Sequence, residues 1–244
     1  MSIGFDVRDE LARSVAERAG AWRFINDFVA QWLSPLTSAD GWDEDNLTAA
    51  EEKLGLPLPL TMREAYGLFG RRTDLTSNQD NLLTPADLVV DESGEVLIFR
   101  VENQSAAFWG VPISDLAMPD PPVVMRANLM DSGAEVWRGW LDRFSLASVE
   151  LVLSESLFSK EVELADNRDI TGDDVSVVEQ RYSRLGIPEY PASQTGAGIR
   201  WFAGQDVLLR EDRRQWLWVR ARTPEALTEV RRSMPGEWQF GEES

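Results

Sequence analysis

The first third of the chain carries apolar residues at helical spacing. The pattern over 9–33 predicts one amphipathic helix that buries a single apolar side. That side consists of Leu11, Val15, Trp22, Ile25, Phe28, Val29 and Trp32, with charged residues between them. We expect this side to pack against the rest of the domain.

Two capping-box patterns predict two shorter helices. Thr48 and Glu51 have the required spacing, and Gly55 fits the left-handed position that ends a helix. Thr61 begins the same pattern again, ahead of a run that ends at Gly70. These signals place two helices between about residues 48 and 70.

From about residue 82 onward, short apolar runs separated by turn residues predict strands. They lie at 88–90, 96–99, 106–111, 123–125, 199–202, 207–209 and 216–219, with a hairpin turn at 91–94. One helix is predicted between these two groups of strands, after Trp140. Thr223, followed by Pro224 and Glu225, predicts the start of a last helix.

Helices come first, and strands occur in hairpin-like runs rather than in strict alternation with helices. This order predicts an α+β fold, with N-terminal helices packed on a mainly antiparallel sheet and a C-terminal extension of strand hairpin plus helix. We assign 1–165 to an α+β domain and 166–198, which is polar or rich in small residues, to a loop or linker. The remaining strands and helix, 199–244, could belong to the same domain.

The chain of 244 residues contains neither cysteine nor histidine. These absences exclude a disulfide, a thiolate nucleophile and any catalytic unit built on an imidazole base. They also remove the usual ligands of zinc. Carboxylate catalysis stays open, but no motif marks two of the 42 acidic residues as a pair across a cleft.

No cofactor and no metal site are expected. Gly196 and Gly198 lack the third glycine and the following helix of a dinucleotide-binding loop. The acidic segment 166–174 suggests calcium, but aligning Gly172 with the EF-hand glycine puts Val178 where a bidentate glutamate is required. Valine has no ligating oxygen, so we expect a solvated loop there.

The formal net charge is −18. A charge of this sign disfavours nucleic acid and anionic membranes as partners, and it attracts a basic protein. Solubility alone is the other interpretation of the charge. The N-terminal residues lack a signal-peptide pattern, and no apolar stretch reaches the roughly 18 residues of a membrane-spanning helix. We therefore expect a cytoplasmic protein.

Several motifs occur in order between about residues 40 and 160. They are Trp42, the segment 47–59, the segment 63–66, Phe69 with Gly70, the strand end 99–104 with Glu102, Asn103 and Gln104, and the segment 120–123. This set resembles the SUKH superfamily, which groups bacterial toxin-immunity proteins with a fungal cell-wall-assembly regulator of the Smi/Knr type. The segment 216–227 is similar to a tail of actinobacterial relatives. Arg71 and Arg72 depart from the pattern, because many members have a second glycine there.

The resemblance implies an α+β fold and a non-catalytic, protein-binding role. The first hypothesis is an immunity protein that blocks a basic toxin sterically and electrostatically. The second is a scaffold or regulator without a toxin, and the third is a carboxylate-dependent hydrolase. No oligomeric state follows from the pattern.

Six residues are candidates for contact with a partner. They are Trp42, Asp43, Glu44, Asp45, Glu102 and Gln104. Acidic side chains can take the place of substrate phosphates on a basic partner, and an exposed tryptophan can supply binding energy. The alternative for each is a structural role, with Trp42 as a core aromatic and the others as caps or loop residues.

Overall fold

The structure, a computed structural model, describes residues 5–127, 135–158, 162–191 and 197–240. These residues form an α+β fold with antiparallel sheets, which confirms the predicted fold class. The helices are α1 (Val7–Ser14), α2 (Arg18–Trp32), α3 (Glu44–Leu54), α4 (Leu60–Phe69), α5 (Thr73–Thr76), α6 (Phe144–Leu157), α7 (Gly172–Arg181) and α8 (Pro224–Ser233).

The strands form two sheets. They are β1 (Asp80–Leu82), β2 (Val89–Val90), β3 (Val96–Glu102), β4 (Ala107–Pro112), β5 (Val123–Ala127), β6 (Arg138–Leu141), β7 (Ala165–Asp169), β8 (Ser183–Arg184), β9 (Ile199–Gly204), β10 (Val207–Asp212) and β11 (Trp216–Ala221). The first sheet has six strands in the order β1, β3, β4, β5, β6, with β2 beside β3. The second has five strands in the order β7, β11, β10, β9, β8. The described strand pairs are all antiparallel.

Helix α6 lies at the centre of the molecule. All fourteen of its residues are buried. It packs against α2, α4 and α5 on one side and against β6 and β11 on the other. A helix that is covered all round must satisfy its own polar side chains inside the protein, and α6 carries Glu150, Ser154 and Glu155.

The second sheet is covered on both faces. Trp201 and Leu208 belong to the large apolar core that also contains Leu153 of α6. Their strand neighbours Phe202 and Leu209 belong to a smaller core beneath α7 and α8. Successive side chains of a strand point to opposite faces, so the two cores lie on opposite sides of this sheet.

The single helix predicted over 9–33 is wrong, because the chain forms α1 and α2 instead. The two helices pack closely at Gly20, where an added Cβ would lie 2.1 Å from the carbonyl oxygen of Ser14. Arg143 donates to the carbonyl oxygen of Val15, the C-cap residue of α1, and to that of Ala16 in the following turn. A side chain from a distant part of the sequence therefore stabilises the break.

The predicted start of α3 is also wrong. Asp43 caps this helix by accepting a hydrogen bond from the Asn46 backbone N–H at 2.9 Å, and Thr48 lies exposed one turn inside it. The predicted end is confirmed, since Gly55 has φ +67° and its N–H donates to the helix. Thr61 does not cap α4, which begins at Leu60, and its side chain is buried.

The segment 166–198 was predicted to be a loop, and this is wrong for the residues that the structure describes. It contains most of β7 and all of α7 and β8, so the C-terminal sheet begins at Ala165. Asp166 is buried and forms an ion pair with Arg231. Thr171 and Asp174 form a capping box at the start of α7. Residues 192–196 of the predicted linker lie outside the described residues.

None of the described helices combines the length and the apolar character that crossing a bilayer requires.

Asp91 fastens the turn between β2 and β3. It is buried, and its carboxylate accepts hydrogen bonds from the Trp137 indole N–H at 3.0 Å, from the Ser93 hydroxyl and from two backbone N–H groups. Burial alone would raise the pKa of Asp91, but these hydrogen bonds outweigh it and lower the pKa to about 2.

We predict that Asp91→Asn lowers the free energy of unfolding at pH 7 by about 2 kcal/mol. A lowered pKa means that the ionised carboxylate stabilises the fold above its unfolded-state pKa, near 3.9, and that this contribution is lost as the pH falls through about 2. The difference between the two proteins in urea unfolding should therefore shrink between about pH 4 and pH 2.

Glu92→Gln is the matched control, because Glu92 is exposed in the same turn. It should change the free energy of unfolding by less than about 0.5 kcal/mol. An Asp91→Asn effect that is as small as the control, or that is the same at both ends of the pH range, would contradict this account of Asp91.

Candidate functional site

Trp42 joins the start of α3 to the end of α4. Its backbone N–H donates to the Tyr66 carbonyl oxygen at 2.9 Å, and its indole N–H donates to the Gly70 carbonyl oxygen at 3.1 Å. The Arg71 guanidinium lies 5.3 Å from its ring centroid. The half-buried ring therefore has a structural role.

The three acidic residues after Trp42 have different surroundings. Asp43 caps α3, and Glu44 forms an ion pair with Arg63 although its side chain is 77% exposed. Asp45 is exposed and forms no ion pair in the described part of the chain. One helix face carries Asp45, Thr48, Ala49 and Glu52 at the spacing of successive turns, and all four are exposed. Like Asp45, Glu52 has no ion-pair partner among the described residues.

Arg63 fixes the relative position of α3 and α4. It forms ion pairs with Glu44 and with Glu51, the latter at 2.7 Å. Glu51 also accepts a hydrogen bond from the Leu58 backbone N–H at 2.8 Å, so it holds the Gly-Leu-Pro turn between the helices. Partial burial lowers the pKa of Arg63, but the two glutamates outweigh it and raise that pKa. Arg63 therefore stays charged.

Two exposed apolar side chains lie where the start of α4 meets the segment before Pro119. Leu60 at the start of α4 is 45% exposed and Met118 is 46% exposed. The Thr61 N–H donates to the Pro119 carbonyl oxygen at 3.0 Å, which brings the two segments together. Leu60 is three residues before Arg63 and shares its helix face. We call Glu44, Asp45, Thr48, Ala49, Glu52, Leu60 and Met118 the α3–α4 surface.

The other predicted site residues lie in the hairpin between β3 and β4. One carboxylate oxygen of Glu102 accepts hydrogen bonds from the backbone N–H groups of Gln104 at 2.8 Å and Ala106 at 3.0 Å. Glu102 therefore fastens a turn in which Ser105 has φ +60°. The Gln104 side chain is exposed. None of the described hydrogen bonds or ion pairs links this hairpin to residues 42–45.

The sequence analysis missed a buried cluster of charges. Arg100 of β3 lies within 2.6 Å of Asp80, 3.0 Å of Glu150 and 3.5 Å of Glu155, measured between guanidinium nitrogens and carboxylate oxygens. Its guanidinium carbon lies 4.6 Å from the ring centroid of Trp109. All four charged side chains are nearly inaccessible to solvent. We call them the Arg100 cluster.

Hydrogen bonds extend the Arg100 cluster in two directions. Glu155 accepts from the backbone N–H groups of Asn78, Gln79 and Asp80, which hold the chain that enters β1. The Tyr190 hydroxyl donates to Glu150 at 2.7 Å and accepts from the Trp201 indole N–H at 2.8 Å. The cluster thus connects the first sheet, α6 and β9 of the second sheet.

Burial changes the titration of this cluster. It raises the pKa of Asp80 and of Glu155, and the positive charge of Arg100 limits both rises. Burial and the Glu150 carboxylate also raise the pKa of Tyr190 well above its usual value, so its hydroxyl keeps the proton that it donates.

Among the described residues, the Arg100 cluster is the candidate for the paired carboxylates that a hydrolase requires. A hydrolase needs two carboxyl groups that face a substrate across a cleft. Here the carboxylates face a guanidinium inside the core, which favours a structural role. No group of acidic side chains among the described residues has a metal-binding arrangement. The sequence signal was a charged residue inside an apolar run, namely Arg100 within 96–101 and Glu150 within α6.

Comparisons of the chain with protein-family models, with curated proteins and with solved structures give no match. The resemblance to the SUKH superfamily therefore rests on its motif residues. Further evidence about the function comes from the surface and the core of the molecule.

We predict that Arg100→Met lowers the free energy of unfolding at neutral pH by about 3–5 kcal/mol, because it leaves buried carboxylates without their counter-charge. Groups with a raised pKa stabilise the fold when protonated, and this contribution is lost as the pH rises. The loss should therefore be larger at about pH 8 than at about pH 5 in urea unfolding.

Arg13→Met provides the comparison for an exposed pair. Arg13 forms an ion pair with Glu10 on α1, and its side chain is 63% exposed. Its removal should cost less than about 1 kcal/mol at either pH. The structural role of the Arg100 cluster is wrong if the two variants unfold alike.

Proposed function

We propose that this protein is a cytoplasmic, non-catalytic binding protein that neutralises a basic protein partner, as an immunity protein does for a toxin. The observation that carries the proposal is the α3–α4 surface. Asp45 and Glu52 are exposed on α3 without an ion-pair partner in the described chain, and the apolar side chains of Leu60 and Met118 are exposed at the start of α4 and on the segment bonded to it.

The distribution of ion pairs supports a role for these acids outside the molecule. Arginine side chains pair with carboxylates over much of the structure, for example Arg72 with Asp74 and Arg210 with Asp212. Asp45 and Glu52 have no such neighbour in the part of the chain that the structure describes. Their charge is therefore available to a basic partner, and the net charge of −18 would increase the rate of encounter.

The apolar residues of this surface supply the second part of an interface. Protein interfaces combine an apolar centre with a polar rim, and charge complementarity mainly determines orientation and rate. Leu60 and Met118 can be the centre, with the acids of α3 as one side of the rim. Arg63 and Glu51 hold α4 against α3, so the surface is formed before a partner arrives.

A test begins with affinity capture from the host by the tagged full chain, washed at low and then at high salt and analysed by mass spectrometry. We predict one basic protein with a toxin-like domain, retained in stoichiometric amount and loosened by salt. The double variant Asp45→Lys/Glu52→Lys should weaken its binding by about tenfold or more, because like charges then face each other.

The matched control is Glu17→Lys/Asp27→Lys, which makes the same change of charge at two exposed residues near α2. It should lower the association rate through the net charge but leave most of the affinity intact. Equal weakening by both double variants would exclude the α3–α4 surface. A diffuse set of housekeeping proteins instead of one basic partner would favour the scaffold hypothesis and contradict the dedicated inhibitor.

A further inference from the structure

A groove lies between α7 and α8, next to the turn that joins β9 to β10. It encloses about 520 Å³. Its floor is apolar and is formed by Tyr182, Val207, Ala226 and Val230. Small-molecule sites are concave, mostly apolar and typically about 300–1,000 Å³ in volume. The groove has the size of such a site, and part of its lining is apolar.

Gly204 shapes the floor. A Cβ atom at this position would lie 2.9 Å from Cδ1 of Tyr182. The glycine therefore lets the tyrosine ring lie against β9, and a larger residue would push the ring into the groove. The Tyr182 hydroxyl oxygen lies 3.5 Å from the Ser233 hydroxyl oxygen, which ties the ring to α8.

The charges at the rim favour a cation. Asp206, Glu225 and Glu229 line the groove together with Arg181. Glu229 is engaged by Arg232 at 2.7 Å. Asp206 is engaged by Arg222 at 3.0 Å. Glu225 is exposed in the first turn of α8 and forms no ion pair among the described residues. A positively charged group entering the groove would thus meet a carboxylate that has no counter-charge.

The ion pair between Arg181 and Glu229 adds a movable element. Its nitrogen and oxygen are 3.7 Å apart, and both side chains are more than half exposed. An exposed pair of this kind contributes little to stability. The same two residues also line a neighbouring hollow of about 310 Å³. Arg181 can therefore move away from the groove at little cost, whereas Glu229 stays paired with Arg232 at 2.7 Å.

We propose that the groove binds a small organic cation with an apolar body. The apolar part would lie on Tyr182, Ala226 and Val230, and the cationic group would lie against Glu225. This site is independent of the α3–α4 surface, because different helices form it. A neutral or anionic ligand of the same shape would lack the ion pair with Glu225.

The test uses three probes with one phenyl body and different head groups. They are 2-phenylethylammonium, 2-phenylethanol and 3-phenylpropionate, titrated into the ¹⁵N-labelled full chain and followed by amide chemical shifts. We expect the cation to bind most tightly, and to shift amides in 204–207 and 223–230 while leaving those of α3 unchanged. Equal or tighter binding of the alcohol or the anion would overturn the proposal, as would shifts without a saturable, localised site.

Two variants locate the contacts. Glu225→Gln should weaken binding of the cation by about three- to fivefold and leave binding of the alcohol unchanged. Ala226→Leu should reduce binding of all three probes, because the added methyl groups fill the floor. Glu92→Gln removes an exposed charge in a different sheet and should change nothing. If Glu225→Gln and Glu92→Gln bind the cation alike, while the amide spectrum shows both variants folded, the proposed site is wrong.

Discussion

The burial of Arg100 is the constraint on which the rest of the structure depends. A guanidinium placed inside a core must be surrounded by counter-charges, and here the carboxylates come from β1 and α6. Glu155 and Glu150 accept further hydrogen bonds, which reach the entry to β1 and Tyr190 beside β9. The position of α6 between two sheets is thus specified by polar geometry as well as by apolar packing. A shift of this helix would leave several buried charges without partners.

The pairing of charges also shows which surface carboxylates are available to a partner. Much of the arginine content is used inside the molecule or at the joints between elements, as Arg63 is between α3 and α4. Acidic residues outnumber basic ones, so the carboxylates left over lie at the surface. They suggest a binding site only where a second feature accompanies them. The α3–α4 surface also contains the exposed Leu60 and Met118, and Glu225 lines a groove together with apolar residues. In both places an unpaired charge is combined with apolar surface that a partner can cover.

Local patterns predicted local structure well. Seven of the strands, the end of α3 at Gly55 and the start of α8 at Thr223 follow from residue types that favour one backbone conformation or one cap, whereas β1, β6, β7 and β8 were not predicted. Prediction failed where a polar residue finds its partner far away in the sequence. Asp166 suggests a solvated loop, but it is buried in β7 and paired with Arg231. Arg143 stabilises the end of α1 although it follows β6 in the sequence, far from that helix. No pattern near Ser14 indicates this contact.

The candidate site shows the same difference between local patterns and long-range contacts. The sequence by itself determined that the protein is an acidic α+β chain without thiol or imidazole chemistry, and it marked the acids that follow Trp42. Only the tertiary structure decided that Trp42 and Glu102 are structural, that Asp45 and Glu52 have no ion-pair partner among the described residues, and that charges meet around Arg100. The physical reason is the distance along the chain over which each effect acts. Capping and periodicity act within a few residues and can be recognised along the chain, whereas the value of a charge depends on its burial and its partners, which the fold supplies from distant segments.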